Sequence, residues 1–206
     1  MIGFMTGNIY LIGASGHARV VADVVTSMQL SVIAFVDKVD SDQMYMGIQV
    51  MHEKDFSGDG EVLIAIGSNQ IRKQLSVQKK WNYFTAIHTS AIVSQYAQID
   101  KGSVVMHGAI IQTMTNVGQH VIVNTGAQID HDCKIGSYAH IAPGAVLCGQ
   151  VTVGEGAFVG AGAVVIPGIE IGNWAQIGAG AVVINNVPDG ATVVGNPARI
   201  IKSKIL

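Results

Sequence analysis

From residue 86 to residue 187 the sequence divides without an insertion into hexads. They run from Ala86-Ile87-His88-Thr89-Ser90-Ala91, through Gln128-Ile129-Asp130-His131-Asp132-Cys133, to Val182-Val183-Ile184-Asn185-Asn186-Val187. Every second position is Ile, Val or Leu, and every sixth position is small or β-branched. An amphipathic helix needs an apolar period near 3.6, so a strict period of six rich in β-branched residues predicts short strands. A repeat this short cannot bury a face alone, and it predicts a solenoid whose neighbouring turns supply the missing contacts. Three strands close one triangular coil, so equivalent positions recur every third hexad and stack about 4.8 Å apart. Ile111, Ile129, Leu147, Val165 and Val183 then form one internal ladder. Positions three to five make the corner, and glycine at six of the third positions suits turns that a Cβ would crowd.

The pattern before the hexads is different. Asn8 to Ile12 reads as a strand, Gly13-Ala14-Ser15-Gly16-His17 as a turn, and Ala18 to Met28 as a helix with Val20, Val21, Val24 and Val25 on one side. Ser31 to Val36 and Glu61 to Ile66 read as further strands, and Asn69 to Lys80 as a second helix. This order predicts a small parallel sheet with helices packed on it. A Gly-containing turn at a helix start presents backbone N–H groups to an anion, which makes Ser15, Gly16 and His17 a phosphate cradle candidate. Asp37, ending the second strand, stands where nucleotide-binding sheets contact a ribose or base. The dinucleotide fingerprint is incomplete, because Arg19 stands where a third Gly or Ala belongs, and NAD is disfavoured.

Composition narrows the class. Hydrophobic residues make up 49% of the chain and charged residues 13%, a balance that supports a buried core and argues against disorder. The formal net charge is −2, with no basic field for nucleic acid or an acidic membrane. Two cysteines, Cys133 and Cys148, are too few for a secreted disulfide framework and read as apolar filler. The opening Met1 to Gly7 carries no basic leader, and no apolar run reaches the roughly 18 residues that span a bilayer. A cytoplasmic protein without membrane insertion is expected.

The hexads resemble the hexapeptide-repeat acyltransferases, which implies a left-handed parallel β-helix, a homotrimer and active sites between neighbouring coils. A closer resemblance is to the nucleotide-sugar N-acetyltransferases that acetylate the 4-amino group of a UDP-linked 4-amino-4,6-dideoxy sugar in bacillosamine-type pathways. It rests on Gly13-Ala14-Ser15-Gly16-His17, Asp37, Ala65-Ile66-Gly67-Ser68-Asn69 with Ile71-Arg72-Lys73, His131-Asp132, His140 and Gly195-Asn196-Pro197-Ala198-Arg199. The resemblance implies an α/β, Rossmann-like domain over residues 1–85 that binds the UDP-amino sugar. It implies an all-β helix over residues 86–206, with its C-terminal tail, that binds acetyl-CoA. Ser15, Gly16, His17, Asp37, Lys38 and Gly67 match the nucleotide positions. His140, Gly149, Ala161 and Ala179 match contacts to acetyl-CoA.

Acetyl transfer from a thioester needs a neutral amine, a base for its proton and donors for the oxyanion. Histidine suits the base role because its pKa of about 6.5 leaves a neutral imidazole near pH 7. Stacking arithmetic selects His131: it holds a fourth position, Thr113 is its equivalent one coil earlier, and Gly149 one coil later. The bare rung at Gly149 is expected to leave room for the thioester and to aim a backbone N–H at the oxyanion. Asp132 beside it would fix the imidazole tautomer, provided the corner bend turns both side chains the same way. The resemblance assigns base and helper to this pair, although relatives carry Glu where Asp132 stands.

His107 and His120 read as solvated corners, His88 lies at the domain junction, and His52 in a loop. Arg199, Lys202 and Lys204 read equally as partners for CoA phosphates and as a solvated tail. A zinc hydratase on the same β-helix needs a His-x4-His spacing that the seven histidines lack, so no metal is expected. The remaining alternatives are dTDP-4-amino-sugar N-acetylation, sialic acid O-acetylation by the same base, and a non-catalytic sugar-nucleotide scaffold.

Overall fold

The computed structural model describes residues 8–39 and 43–202. Its N-terminal part runs β1 (Ile9–Ile12), α1 (Gly16–Ser27), β2 (Val32–Asp37), β3 (Met44–Tyr45), β4 (Ile48–His52), β5 (Glu61–Ile64), α2 (Asn69–Gln78) and β6 (Asn82–Tyr83). The sheet order is β3-β4-β2-β1-β5-β6, parallel except where β3 pairs antiparallel with β4. The β3–β4 hairpin and β6 are elements that the sequence pattern did not predict. The hairpin turns through Met46 and Gly47, both at positive φ, and Met46 carries none of the Asn or Asp signal of such turns. Ala18, Val21, Ala22, Val24 and Val25 of α1 are buried, whereas Val20 points outward at 40% exposure. The helix therefore packs with a narrower apolar stripe than its valines suggest.

Each hexad from Ala86 onward contributes a two-residue strand, and the strands stack into three parallel sheets. The first face begins with Ala86–Ile87, the second with Ile92–Val93 and the third with Gln98–Ile99. Partners lie one coil apart, as in Ile111 on Ile129 and Leu147 on Val165. Second and sixth positions form one continuous core from Val105 to Val193, with Cys133 fully buried among them. Third-position glycines serve the stacking itself: a Cβ on Gly160 would lie 2.6 Å from the backbone of Gly178-Ala179 in the coil above. Every fifth position from Gly102 to Gly180 is left-handed, including the non-glycine residues Met114, His120, Asp132, Tyr138, Gln150 and Trp174.

The outward ladder of the first face decides where the N-terminal part docks. Its lower positions, Ala86, Val104 and Ile122, are aliphatic and buried in one cluster with α1 and β1. Full burial of each larger side chain contributes roughly 1.5–3 kcal/mol. Higher on the same face the ladder becomes His140, Phe158, Gln176 and Thr192. The chain closes with a hairpin of Thr192–Val194 and Arg199–Lys202. Lys204 and Met1 to Gly7 lie outside the described residues. No helix among the described residues is long and apolar enough to cross a membrane.

Candidate active site

His131 lies on the corner between the second-face strand Gln128–Ile129 and the third-face strand Lys134–Ile135. Its Nδ1 is 2.7 Å from Asp132 Oδ2. The left-handed backbone at Asp132, φ 58°, turns the two neighbouring side chains to the same side. Asp is among the residues that tolerate this conformation. The shorter acid therefore reaches the ring without help from a longer side chain. The hydrogen bond to Asp132 leads the causes that raise the His131 pKa above 6.5, and Asp130 adds to it.

The rung at Gly149 is bare, but the imidazole itself fills it. A Cβ on Gly149 would lie 2.6 Å from both His131 Cε1 and Nε2. The space a Cβ at Gly149 would take is thus occupied by the ring. Gly149 is buried, and its N–H has no hydrogen-bond partner among the described residues.

His140, Ala161 and Ala179 come together in an apolar groove of about 410 Å³, with Phe158 and Gln176 on its floor. Gly149 is not among its lining residues. Ala161 and Ala179 sit at fourth positions on the corner between the first and second faces, one corner away from His131. A second cavity of about 440 Å³ shares Phe158, Gln176 and Thr192 with the groove. It continues to Gly67, Ser68 and Asn69 at the start of α2 and to Lys202 in the closing hairpin. Lys202 therefore borders the trough, whereas the Arg199 guanidinium folds back onto the Ala198 carbonyl.

The proposed cradle lies at the turn before α1, outside the residues that line the groove. Ser15 and Gly16 are exposed at the start of α1, and the Ser15 side chain makes no capping bond. A Cβ on Gly16 would meet nothing nearer than Arg19 at 3.7 Å, and one on Gly67 would meet nothing within 4 Å. The fold does not itself require glycine at either place. Gly13 is different: at φ 111°, a Cβ there would lie 2.9 Å from the Ile66 side chain and 3.1 Å from the Ala65 carbonyl. Asp37 accepts from the Ala14 N–H at 2.7 Å and the Lys38 N–H at 2.6 Å. It ties the end of β2 to the turn before α1. Lys38 is exposed beside it.

His17 and His140 meet across the seam between cradle and groove, their ring centroids 6.4 Å apart. Burial, with the Arg72 charge adding, lowers His17 to about 4. The same two causes, then His17, lower His140 to about 3. His140 Nε2 is paired with Asn124 Nδ2 at 3.0 Å. His17 Nε2 is buried and has no hydrogen-bond partner among the described residues, whereas His140 Nδ1 is buried without a well-aligned bond but close enough to the Gly67 backbone for that group to oppose the lowering of its pKa.

Sequence reasoning missed the residue that fixes this seam. Arg72, 1% exposed, donates to the carbonyls of Ile66 and Gly67 in its own domain and to those of His120, Tyr138 and Ala139 in the β-helix. It also bonds Asn69 Oδ1 at 2.9 Å, and Asn69 reaches the Gly156 and Ala157 carbonyls. Burial lowers Arg72 to about 9. His120 is a correction: far from being a solvated corner, it is 2% exposed. Its left-handed backbone lays the ring over Gly102, stacked on Tyr138 and edge-on to Tyr83, and burial lowers it to about 4. His107 is only half-buried and paired with Asp23.

Comparison with known proteins gives the following. Residues 8–79 match the PglD N-terminal domain family, and residues 114–149 and 150–185 match the bacterial transferase hexapeptide family. Over 110 residues the chain is 42% identical to UDP-N-acetylbacillosamine N-acetyltransferase of Bacillus subtilis, covering 48% of this chain and 51% of that protein. The match thus spans about half the length of that curated relative. The acetyltransferase domain of PglB from Neisseria gonorrhoeae, solved with acetyl coenzyme A, is 35% identical with a TM-score of 0.88, covering 95% of this chain and 100% of that one. PerB from Caulobacter crescentus, solved with CoA and GDP-perosamine, is 36% identical with a TM-score of 0.88, covering 95% and 98%.

Proposed function

The chain belongs to the hexapeptide-repeat nucleotide-sugar N-acetyltransferases, and on that premise we propose that it moves acetyl from acetyl-CoA to the 4-amino group of a UDP-linked 4-amino-4,6-dideoxy sugar. The observation that supports this reading is the juxtaposition of His17, next to the Ser15-Gly16 turn, with His140, which lines the groove, their ring centroids 6.4 Å apart. The buried His17 Nε2 has no protein partner among the described residues, and His140 beside it lines the same groove as Ala161 and Ala179. Buried polar atoms without partners cost free energy unless a ligand satisfies them. Small side chains at Ala161 and Ala179 suit the pantetheine arm of acetyl-CoA, and glycine at 16 and 67 suits close approach of the nucleotide.

In the proposed reaction the amine nitrogen attacks the thioester carbonyl while His131 Nε2 takes its proton. The C–N bond forms, the oxyanion is held by the Gly149 N–H, and the C–S bond breaks as the sulfur receives the proton from His131. Asp132 holds the Nδ1 proton and so presents Nε2 as the base. No metal enters this scheme.

His131 and the groove occupy different corners of one chain, so both act on one acetyl group only if a second copy brings its His131 to this groove. A homotrimer, with three such interfaces, follows as part of the proposal. The uracil base is the least constrained feature, since the matched relatives include a protein solved with GDP-perosamine.

The test is thiol release from acetyl-CoA over a panel of UDP-, dTDP- and GDP-linked amino sugars, with CMP-sialic acid and free sialic acid as hydroxyl acceptors. Amine acetylation with UDP preferred is the expected result. Turnover confined to a hydroxyl acceptor, or none with any acceptor, overturns it. Mixing His131→Ala protein with an Ala161→Trp variant should restore activity that neither has alone.

A further inference from the structure

We propose that Asp23, His88 and His107 form a binding site for a divalent transition ion of the zinc class, which clips α1 to the first two coils of the β-helix. A ring nitrogen from each histidine and a carboxylate oxygen of Asp23 all lie within 4.8 Å of one another. The three come from separate parts of the chain: Asp23 from α1, His88 from the first hexad and His107 from the corner one coil above. Two imidazoles and one carboxylate are the donor set that suits zinc, cobalt or nickel rather than calcium or magnesium.

The geometry is prepared on both sides. His107 Nε2 is 2.8 Å from Asp23 Oδ2, and the His88 ring stacks on the His107 ring with centroids 3.7 Å apart. His88 Nδ1 is engaged by the Ser90 hydroxyl at 2.7 Å and the Ser90 N–H at 3.0 Å, which leaves Nε2 for a ligand. The Ser90 N–H makes Nδ1 an acceptor in the free site, so an ion at Nε2 requires the ring proton to move to Nδ1, where the Ser90 oxygen can accept it in place of the Ser90 N–H contact. Ser90 is itself fixed by the Gly108 N–H, and the turn is tied to α1 by the Thr89 N–H on Ser27 Oγ. Ligand atoms around a tetrahedral zinc stand about 3.4 Å apart, from bonds of about 2.1 Å, and an ion lies in the plane of each imidazole, so closing the site takes shifts of about 1 Å and a tilt of the His88 ring out of its stack on His107. Asp23 is exposed and both histidines are half-buried, so the fourth position faces solvent. The site lies on the same corner as Ala161 and Ala179, lower along the β-helix, and is independent of the proposed reaction. An exposed Asp–His pair alone would leave the stacked His88 ring without a purpose.

The experiment uses the full chain, stripped with a chelator and titrated with Co2+ while visible absorption is recorded. One ion per chain, with the intense bands of four-coordinate cobalt lost on adding one equivalent of Zn2+, is expected. Zn2+ should raise the Tm by about 5 °C at a hundredfold excess over Kd. Asp23→Asn and His88→Gln, both mild and at accessible positions, should each weaken binding at least tenfold, whereas His131→Ala should leave it unchanged. Absence of saturable binding overturns the proposal, as does binding that survives both substitutions or is lost with His131→Ala.

Discussion

Arg72→Met replaces a buried cation by an apolar side chain of similar length, and the structure allows its cost to be worked out. Four carbonyls, those of Ile66, Gly67, His120 and Tyr138, lose their donor; Ala139 keeps the Ile122 N–H at 3.0 Å. The His120 contact is buried, and the other three carbonyls and Asn69 Oδ1, which also loses its donor, are part-buried; at about 2 kcal/mol for the first and about 1.5 kcal/mol for each of the other four, the loss is about 8 kcal/mol. Against it stands relief of a desolvated charge, which burial has pushed from 12.5 to about 9, about 5 kcal/mol on the conversion of 1.36 kcal/mol per unit. The net is a destabilisation of about 3 kcal/mol, felt at the domain junction rather than in either core. Arg72→Lys keeps the charge but supplies three donors from one nitrogen, and its cost should be about half as large. Trp81 reports on the N-terminal core, and Trp174 on the β-helix beneath Lys73. In guanidinium unfolding followed by fluorescence of single-tryptophan forms, the parent transitions should coincide and those of Arg72→Met should separate, with Trp81 melting first. Coincident, unshifted transitions in the methionine variant would refute the assignment of Arg72 as the peg between the domains.

His131→Ala should lower kcat by about 10² to 10⁴-fold, the range of a general base; near-parent turnover removes the mechanism. Because Asp132 is the leading cause of the raised His131 pKa, the acid limb of kcat/KM should lie above pH 6.5, and Asp132→Asn should move it down. A limb that stays in place argues for a different base. Gly149→Ala places a Cβ 2.6 Å from the imidazole, so kcat should fall about 100-fold with little change in KM for the nucleotide; equal turnover would separate the ring from the chemistry. His17 and His140, lowered to about 4 and about 3, stay neutral in the folded protein where the unfolded chain takes up protons. Stability is then full above pH 6.5 and falls as pH drops toward 4, by about 3 kcal/mol for each histidine. A Tm that is flat between pH 7 and 5 would contradict the burial of both rings.

The β-helix was legible because its signal is local and repeated: one aliphatic second position fixes one inward side chain, and seventeen of them leave no second register. The α/β order was legible for the same reason, but the β3–β4 hairpin was not, since Met46 adopts a left-handed turn without a turn residue's signature. The Asp132 bend has a sequence signal of its own. Fifth positions from Gly102 to Gly180 are often glycine, which marks them as left-handed, and Asp132 occupies the same place in its hexad. The same rule buries His120, whose ring falls back over the preceding coil. Nothing comparable marks the role of Arg72, although it stands in the Ile71-Arg72-Lys73 run that carries the resemblance. Its partners are main-chain carbonyls 48 and 66 residues away, and carbonyls carry no residue identity. The Asp23, His88 and His107 cluster was hidden in the same way, because the fold joins one helix to two coils that no spacing rule connects.

The period also constrains what a single chain can do. Hexads cycle through three faces, so a residue's hexad fixes its corner as firmly as its rung. His131 falls on the second corner of its coil, while Ala161 and Ala179 fall on the first, and no side-chain rotation moves a group from one edge of the prism to another. The first-face ladder, aliphatic through Ile122 and then His140, Phe158 and Gln176, sets where the N-terminal domain ends and the groove begins. That places His17 beside the groove within one chain but leaves His131 facing outward, half-exposed and paired only with Asp132. For the proposed acetyl transfer, the nucleotide cradle and the groove are therefore a property of the monomer, and the base must be a property of the assembly.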